Sequence, residues 1–562
     1  MCVVSSAFAG SRQSAGRAPL RPVDATEACK QHGLLIATLE YACQNPSETR
    51  FQNMTRIGTG DSLLVDNRAH DSCTNDLRAT ALTVLIIICF VAWLAFEIPK
   101  GILTNTDELL TAERSREMLL TTPWVVHFNF EKSFAKPPLQ YWLTTLTLQS
   151  FENRTLAVRI WPLVYGVLTA ITLAYLARVI APDRPWVIPL SLAILVCCPL
   201  FSAEAGRGLL DIGLAFFTTL AIVFAQLARK NPAWWMGVAV ACWLGSLQKI
   251  PLIFLLWLVI LVVRAISPIQ RRNLFSGWLI ASIVFALASS AVWPLVQLAK
   301  YGMPAKSVFN EEVVVWLGPE YLGARPYFEV PLRLSTTAWI GAGFFAFIAP
   351  FAVLLWKQQR FSAAARELAS LCLAVIALAV LFNFRSVRYI VPIVPSLCLL
   401  LTIFFQRFLE RRSALRIGAA VLLALMLLAS LTQAGIQIYL RQRNASLQME
   451  EGKIKLRTRE KDIADEKRVA EELGALQQPD SKMVLVKAIK GGSDLLYDSF
   501  YLFHGNLRFP VTNLTVDELR AAPPPVIGVS VARDFPVVQQ VYPKVQTQFS
   551  RAQFMLWRVD AE

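Results

Sequence analysis

Between residues 79 and 439 the chain repeats one feature that fixes its class: apolar runs about as long as a bilayer is thick. They lie near 79 to 97, 157 to 176, 186 to 202, 209 to 228, 233 to 248, 250 to 264, 276 to 297, 334 to 356, 367 to 383, 387 to 405 and 416 to 439. A helix needs about 20 apolar residues to cross the hydrocarbon core, so each run is roughly a crossing. A content of 55% hydrophobic and 17% charged residues in 562 is too apolar for a soluble chain of this size. The pattern predicts an all-α polytopic membrane protein with about 11 to 13 transmembrane helices. Residues 139 to 151 are amphipathic and short, and are expected to lie in the interface or add a partial span.

The formal net charge of +15 would suit a nucleic-acid binder, but the excess Lys and Arg fall in short loops between apolar runs. That is the positive-inside pattern, and no nucleic-acid partner is expected. Loops carrying Arg178 and Arg184, Arg229 and Lys230, Arg264 and Arg271, Lys357 and Arg360, and Arg407 and Arg411 fall in alternate connections. These loops are expected in the cytoplasm, which puts 98 to 156, 298 to 333 and everything after 440 on the opposite face. Six of the ten cysteines lie in apolar runs, and Cys2, Cys29, Cys43 and Cys73 are scattered without metal-ligand spacing. Neither a zinc site nor a disulfide framework is implied.

Three regions follow. Residues 1 to 78 mix Ser, Arg, Asn and Asp and are expected to be a disordered cytoplasmic tail; the opening lacks the charged start of a signal peptide, and Met54 offers an alternative start. Residues 79 to 440 form the transmembrane domain. Residues 441 to 562 read as a small extracytoplasmic α/β domain, with a charged helix over 441 to 475 and short strands at 483 to 486, 500 to 503, 526 to 531 and 554 to 559.

The polar stretch after the first apolar run is the chemically informative one. Thr104 or Thr106 is placed to cap a helix whose first turn holds Asp107 and Glu108, where free N–H groups and the dipole favour a charged carboxylate. Lys136 precedes Pro137 and Pro138, which hold its segment extended. On the same predicted face lie Asp211 at the end of one span, Lys249 in a short turn, and Arg385, Arg388 and Tyr389 before another. Four of them have a plainer reading: a solvated helix start for Asp107 and Glu108, an ion pair with Arg207 for Asp211, a snorkelling anchor for Lys249. Glu311 and Glu312 suggest no partner. Two carboxylates and several cations at one membrane face suit transfer from a lipid phosphate, with cations on the phosphate and a carboxylate taking the acceptor's proton.

The segments TNTDELLTAERSREMLLTTPWVVHFNF, AKPPLQYW, NRTLAVRIWP, LLDIGLAFF, LQKIP and RSVRYIVPIVP, in this order, resemble the membrane-embedded GT-C glycosyltransferases of the aminoarabinose-transferase and protein mannosyltransferase group. The resemblance covers roughly 80 to 440. It implies transfer of a sugar, with inversion, from a polyprenyl-phosphate donor to a lipid, glycan or protein acceptor, at the periplasmic face of a bacterial inner membrane and among membrane lipids. It matches Asp107 to the family's catalytic loop aspartate, Asp211 to its second acid and Lys136 to its KPP lysine. Lys249 matches the lysine of its TKG-like turn and Tyr389 the tyrosine before the last proline-rich span. Two positions depart from the family: Ala135 stands where glutamate is common, and Ile250 replaces the turn glycine. No particular cofactor is implied; the carboxylates could hold a divalent cation, but no His-rich ligand set supports one. The alternative is a transporter or flippase of a lipid-linked sugar, for which inverted repeats and mid-span charges would be expected.

Overall fold

The computed structural model describes residues 62–561 apart from 307–361 and shorter breaks at 135, 250–251, 267–270, 272–273, 382–386, 410–413, 451–452, 488–496 and 521. The expected span at 334 to 356, Glu311, Glu312, Arg385 and residues 1 to 61 lie outside the described residues. The chain divides into two compact units, 1–77 and 78–562. The described part of the first is the opening of helix α1 (Ser62–Glu97), which begins well inside the expected tail. Once the apolar half is helical, each further residue adds a hydrogen bond without a new nucleation cost.

The second unit continues with α2 (Thr106–Leu120), a short hairpin of β1 (His127–Phe128) and β2 (Glu131–Lys132), α3 (Leu139–Ser150) and α4 (Arg154–Ile180). Helices α5 (Val187–Cys197), α6 (Pro199–Ala205), α7 (Asp211–Leu227), α8 (Trp235–Gln248), α9 (Leu252–Ile266), α10 (Gly277–Tyr301) and α11 (Ala363–Leu381) follow. A 3-10 turn (Val387–Ile393) leads into α12 (Val394–Leu409), and α13 (Ala414–Gln442) closes the series. Among the described residues, five helical stretches are long and apolar enough to cross a membrane alone: Thr74–Glu97, Arg154–Ile180, Gly277–Tyr301, Arg388–Gln406 and Arg416–Arg441. The chain is an integral membrane protein. The run expected to cross at 186 to 202 is helical but bent, with α5 and α6 meeting at 73° at Cys198–Pro199, because Pro199 has no N–H to continue the ladder. The bend turns α6 so that the Gly206–Arg207 turn delivers Asp211 to the start of α7.

Beyond α13 comes a hairpin of β3 (Ala445–Glu450) and β4 (Lys453–Thr458), then α14 (Glu460–Leu476). The hairpin corrects the expectation of one helix from 441: Leu447 and Met449, like Ile454 and Leu456, alternate with polar residues at the strand period. A five-stranded sheet of order β6-β5-β7-β9-β8 follows, built from β5 (Lys482–Lys487), β6 (Val511–Thr515), β7 (Val526–Val531), β8 (Gln546–Arg551) and β9 (Phe554–Val559). Strand β5 is parallel to β6 and β7, and β9 is antiparallel to β7 and β8. The short helices are α15 (Asp498–His504), α16 (Val516–Leu519) and α17 (Phe535–Val541). Residues 500 to 503, expected as a strand, form the buried face of α15; a short apolar run cannot distinguish the two.

This domain packs on the polar loop. Leu103, Leu109 and Ala112 share one core with Phe500, Leu502 and Phe503. Arg116 Nη2 donates to the Leu507 carbonyl at 2.7 Å, Asn129 exchanges two hydrogen bonds with the Val511 backbone, and His504 Nε2 meets the Leu103 carbonyl at 3.1 Å. Helix α2 is thereby gripped by the C-terminal domain.

Candidate active site

Helix α2 starts at a cap different from the expected threonines. Asn105 has extended backbone, and its side chain accepts from the Glu108 N–H at 3.2 Å, the arrangement that satisfies a free first-turn donor. Thr104 is then available to hydrogen-bond Asn444 at 2.6 Å. Asp107 and Glu108 occupy the first turn and turn to different partners.

Glu108 is buried. Arg159 holds it through two hydrogen bonds, at 2.7 and 3.1 Å, and the Gly208 N–H donates to it at 2.8 Å. Burial alone would push this carboxyl up, but Arg159 and the Gly208 N–H outweigh it and hold it below the usual carboxylate range. A Cβ at Gly208 would collide with Val158 Cγ1 and sit 3.1 Å from Glu108 Cγ, so glycine is what lets the backbone approach. Glu108 thus ties α2 to α4 and to the turn before Asp211.

Asp107 faces Arg388, whose Nη1 donates to its Oδ2 at 2.5 Å. Arg388 Nε also lies 3.8 Å from Asp211 Oδ2, and Lys249 Nζ donates to Asp211 Oδ1 at 2.6 Å. Lys249 and Arg388 both stand over the Tyr389 ring, at 4.5 and 5.7 Å from its centre. Asp107, Asp211, Lys249, Arg388 and Tyr389 therefore converge from four segments. Asp211 pairs with Lys249, and Arg207 lies instead 3.7 Å from Glu204. The two aspartates are unequal: the Asp107 side chain is 48% exposed and Asp211 only 4%. Of the two, Asp107 is the one open to an incoming molecule.

Lys136 lies half-buried in the loop before α3. A glutamine pair that the sequence did not flag ties that helix to the cluster. Gln248 Nε2 donates to Gln140 Oε1 at 3.0 Å and to the Leu210 carbonyl at 3.1 Å. One buried amide thus links the first turn of α3, the residue before Lys249 and the residue before Asp211. A neutral amide in an apolar run carries no sequence signal for this role; its position beside Lys249 was the only hint. Among the described residues, no group of three or more His, Cys, Asp and Glu side chains is arranged to hold a metal ion, and Asp107 and Asp211 are each turned to a cation.

Residues 109–301 match the dolichyl-phosphate-mannose-protein mannosyltransferase family. The crystal structure of ArnT from Cupriavidus metallidurans bound to undecaprenyl phosphate superposes with a TM-score of 0.62 at 16% identity, covering 85% of this chain and 97% of that one. The chain has the GT-C fold. Similarity in sequence runs the same way. An undecaprenyl phosphate-alpha-4-amino-4-deoxy-L-arabinose arabinosyl transferase of Proteus mirabilis is 25% identical over 49% of this chain and 51% of its own length. One of the same description from Sodalis glossinidius is 30% identical over 29% and 31%. The chain spans about half or less of the length of these curated relatives. Within the GT-C fold, the family match runs from α2 to the end of α10 and takes in Lys136, Asp211 and Lys249.

Proposed function

We propose that this protein is a glycosyltransferase that moves a sugar from a polyprenyl-phosphate carrier to an acceptor on the extracytoplasmic face of the membrane. The observation that carries the reading is the half-exposed Asp107 bound to an arginine that also reaches the buried Asp211–Lys249 pair, on a GT-C fold. In this reading the acceptor oxygen or nitrogen attacks the anomeric carbon, the bond from that carbon to the phosphate oxygen breaks, and the carrier leaves as its phosphate. Asp107 takes the acceptor proton. Arg388 and Lys249 stabilise the leaving phosphate, joined by Lys136 and, by its place in the same segment, Arg385. Tyr389 supports the two cations it faces.

The charge pattern suggests an order of events. Arg388 and Lys249 are matched by Asp107 and Asp211, so an arriving phosphate competes with a carboxylate for a guanidinium. Asp107, with the more exposed side chain, is the one released, and release leaves it free to accept a proton. Asp211 stays on Lys249 and orients the site. Glu108, grouped with Asp107 in the first turn, acts in this reading by fixing α2 against α4.

The donor follows the relatives, whose names specify undecaprenyl phosphate-linked aminoarabinose; the acceptor is a lipid, glycan or protein that the experiment below identifies. A bacterial inner membrane with the site facing the periplasm fits the loop charges, and the C-terminal domain then lies in the periplasm with the site. A reporter fused after Glu562 and active only in the cytoplasm would overturn that orientation.

The deciding experiment incubates purified full-length protein with undecaprenyl-phosphate-linked aminoarabinose and lipid A and follows free undecaprenyl phosphate and the modified acceptor. Mass spectrometry of envelope lipids and glycans from a strain lacking the protein supplies the acceptor if another is used. Absence of carrier release with undecaprenyl-phosphate aminoarabinose, mannose and glucose alike, across lipid and peptide acceptors, would overturn the reading.

A further inference from the structure

The start of α2 has a second neighbourhood. A cavity of about 320 Å³ lies between the end of α1, the Asn105–Glu108 turn, the Gly206–Arg207 turn and the C-terminal end of α13, and Arg159, Arg207 and Arg441 line it. An adjoining hollow of about 440 Å³ shares Glu97 and Ile438 with it and carries Trp93, Lys100, Tyr439 and Arg443.

The cations of this double hollow are unequally satisfied. Arg159 is held by Glu108, and Lys100 is held by Glu97 at 3.1 Å. Arg207 is 3.7 Å from Glu204, too far for a hydrogen bond. Arg441 Nη1 is buried and meets no hydrogen-bond acceptor among the described residues. A buried guanidinium N–H without an acceptor is costly, and an oxyanion seated between Arg207 and Arg441 removes that cost. The mouth indicates where such an anion comes from. Phe96 of α1 and Ile436 and Tyr439 of α13 are exposed on the outside of the bundle, and Trp and Tyr settle at the level of lipid headgroups.

We propose that this double hollow is a binding site for the phosphate headgroup of an anionic lipid, distinct from the Asp107–Arg388 cluster. The lipid's chains lie along α1 and α13, Lys100 and Arg443 draw the headgroup in, and Arg207 and Arg441 take its oxygens. Asn105 and Glu108 line the same cavity, so the headgroup rests against the cap of the helix that carries Asp107. The site concerns binding alone and stands whether or not the chain transfers a sugar.

The test is native mass spectrometry of the full-length protein in detergent with dioleoyl phosphatidic acid and dioleoylglycerol, which share their chains and differ in the phosphate. Phosphatidic acid is expected to bind at least tenfold more tightly. Arg441→Gln is expected to weaken it about tenfold, the loss typical of a charge-assisted hydrogen bond, while Arg441→Lys retains most of it. Arg443→Gln, at an exposed position whose loss leaves the fold intact, is expected to weaken binding severalfold. Arg388→Gln is expected to leave this bound lipid in place. Equal binding of the two lipids, wild-type affinity in Arg441→Gln and Arg443→Gln, or loss in Arg388→Gln instead, would each overturn the proposal. Binding of inorganic phosphate with no preference for phosphatidic acid would assign the site to free phosphate and overturn the lipid.

Discussion

Arg388 and Asp107 stand 281 residues apart in the chain and 2.5 Å apart in space. The guanidinium that meets Asp107 also approaches Asp211, so one side chain from the 3-10 turn before α12 joins an acid from the first polar loop to an acid at the start of α7. Removing any of the three alters the charge seen by the other two.

Asp107→Asn is expected to lower the rate of sugar transfer by about 10² to 10⁴, the usual cost of losing a general base. The helix start should survive, because the cap is Asn105 and not Asp107. The ion pair lost is half-exposed on one side, and such pairs contribute at most ~1 kcal/mol. Transfer kinetics and thermal unfolding on the same preparation check this. Near wild-type turnover would leave Asp107 as an ordinary helix-start residue.

Arg388→Lys separates charge from geometry. An ammonium keeps the charge but loses the planar fork that spans two carboxylates or two phosphate oxygens. The expected result is a rise of about tenfold in KM for the lipid donor with little change in unfolding temperature. If KM is unchanged and only kcat falls, Arg388 serves to position Asp107 and the donor phosphate is held elsewhere.

The spans were legible because bilayer thickness writes itself into apolar run length, and α1, α4, α10, α12 and α13 lie where such runs predict. Asp107, Asp211, Lys249, Arg388 and Tyr389 were legible as candidates, but their pairing was not, since sequence order says nothing of which charge meets which. Asp211 chose Lys249 over Arg207 because the break at Cys198–Pro199 turns α6 and leaves Arg207 beside Glu204. Arg264 looked like one more loop cation at the end of an apolar run, yet it is buried against Glu367. Gln140 and Gln248 carry no charge or periodicity that would mark them. Hairpin β3–β4 was hidden because its alternation lies in a segment whose charge density suggests a solvated helix.

Glu117 gives helix α2 a pH dependence of its own. Burial first, and the neighbouring Glu113 carboxylate second, push its carboxyl from 4.5 up to about 8. Its folded value lies above its unfolded one, so the associated stability is fully present below the unfolded value and is lost as pH rises through the folded value. Unfolding temperature is expected to fall between about pH 5 and pH 8 for this reason. Glu117→Gln keeps an acceptor for the Phe130 N–H, now bonded at 2.9 Å, and cannot ionise. It should flatten that slope and unfold at a higher temperature than wild type at about pH 8. An unchanged slope would mean that Glu117 is solvated when charged.

The buried pair at the other end of the bundle allows a sharper test of what holds the helices together. Arg264 is 1% exposed and Glu367 2%. The guanidinium makes two hydrogen bonds to the carboxylate, at 3.0 and 2.9 Å, donates to the Ala225 carbonyl and lies 5.0 Å from the Trp235 ring centre. Gln226 donates to the same carboxylate at 3.0 Å, so α7, α9 and α11 meet at one charge pair. Attraction in a low-dielectric interior is strong, but so is the cost of taking both ions out of water, and the net contribution of such a pair is small. Removing one partner is different, because it takes away the other's closest counter-charge; without Arg264, Glu367 keeps only Gln226 and the more distant Arg229, 3.9 Å away, among the described residues. Arg264→Met is therefore expected to cost about 3–5 kcal/mol, and Arg264→Met with Glu367→Leu to recover most of it. A double-mutant cycle on unfolding free energy in detergent measures the coupling directly. If the double variant is as unstable as the sum of the two single ones, the pair contributes through its separate contacts with Ala225, Trp235 and Gln226, and the charges are incidental to the packing.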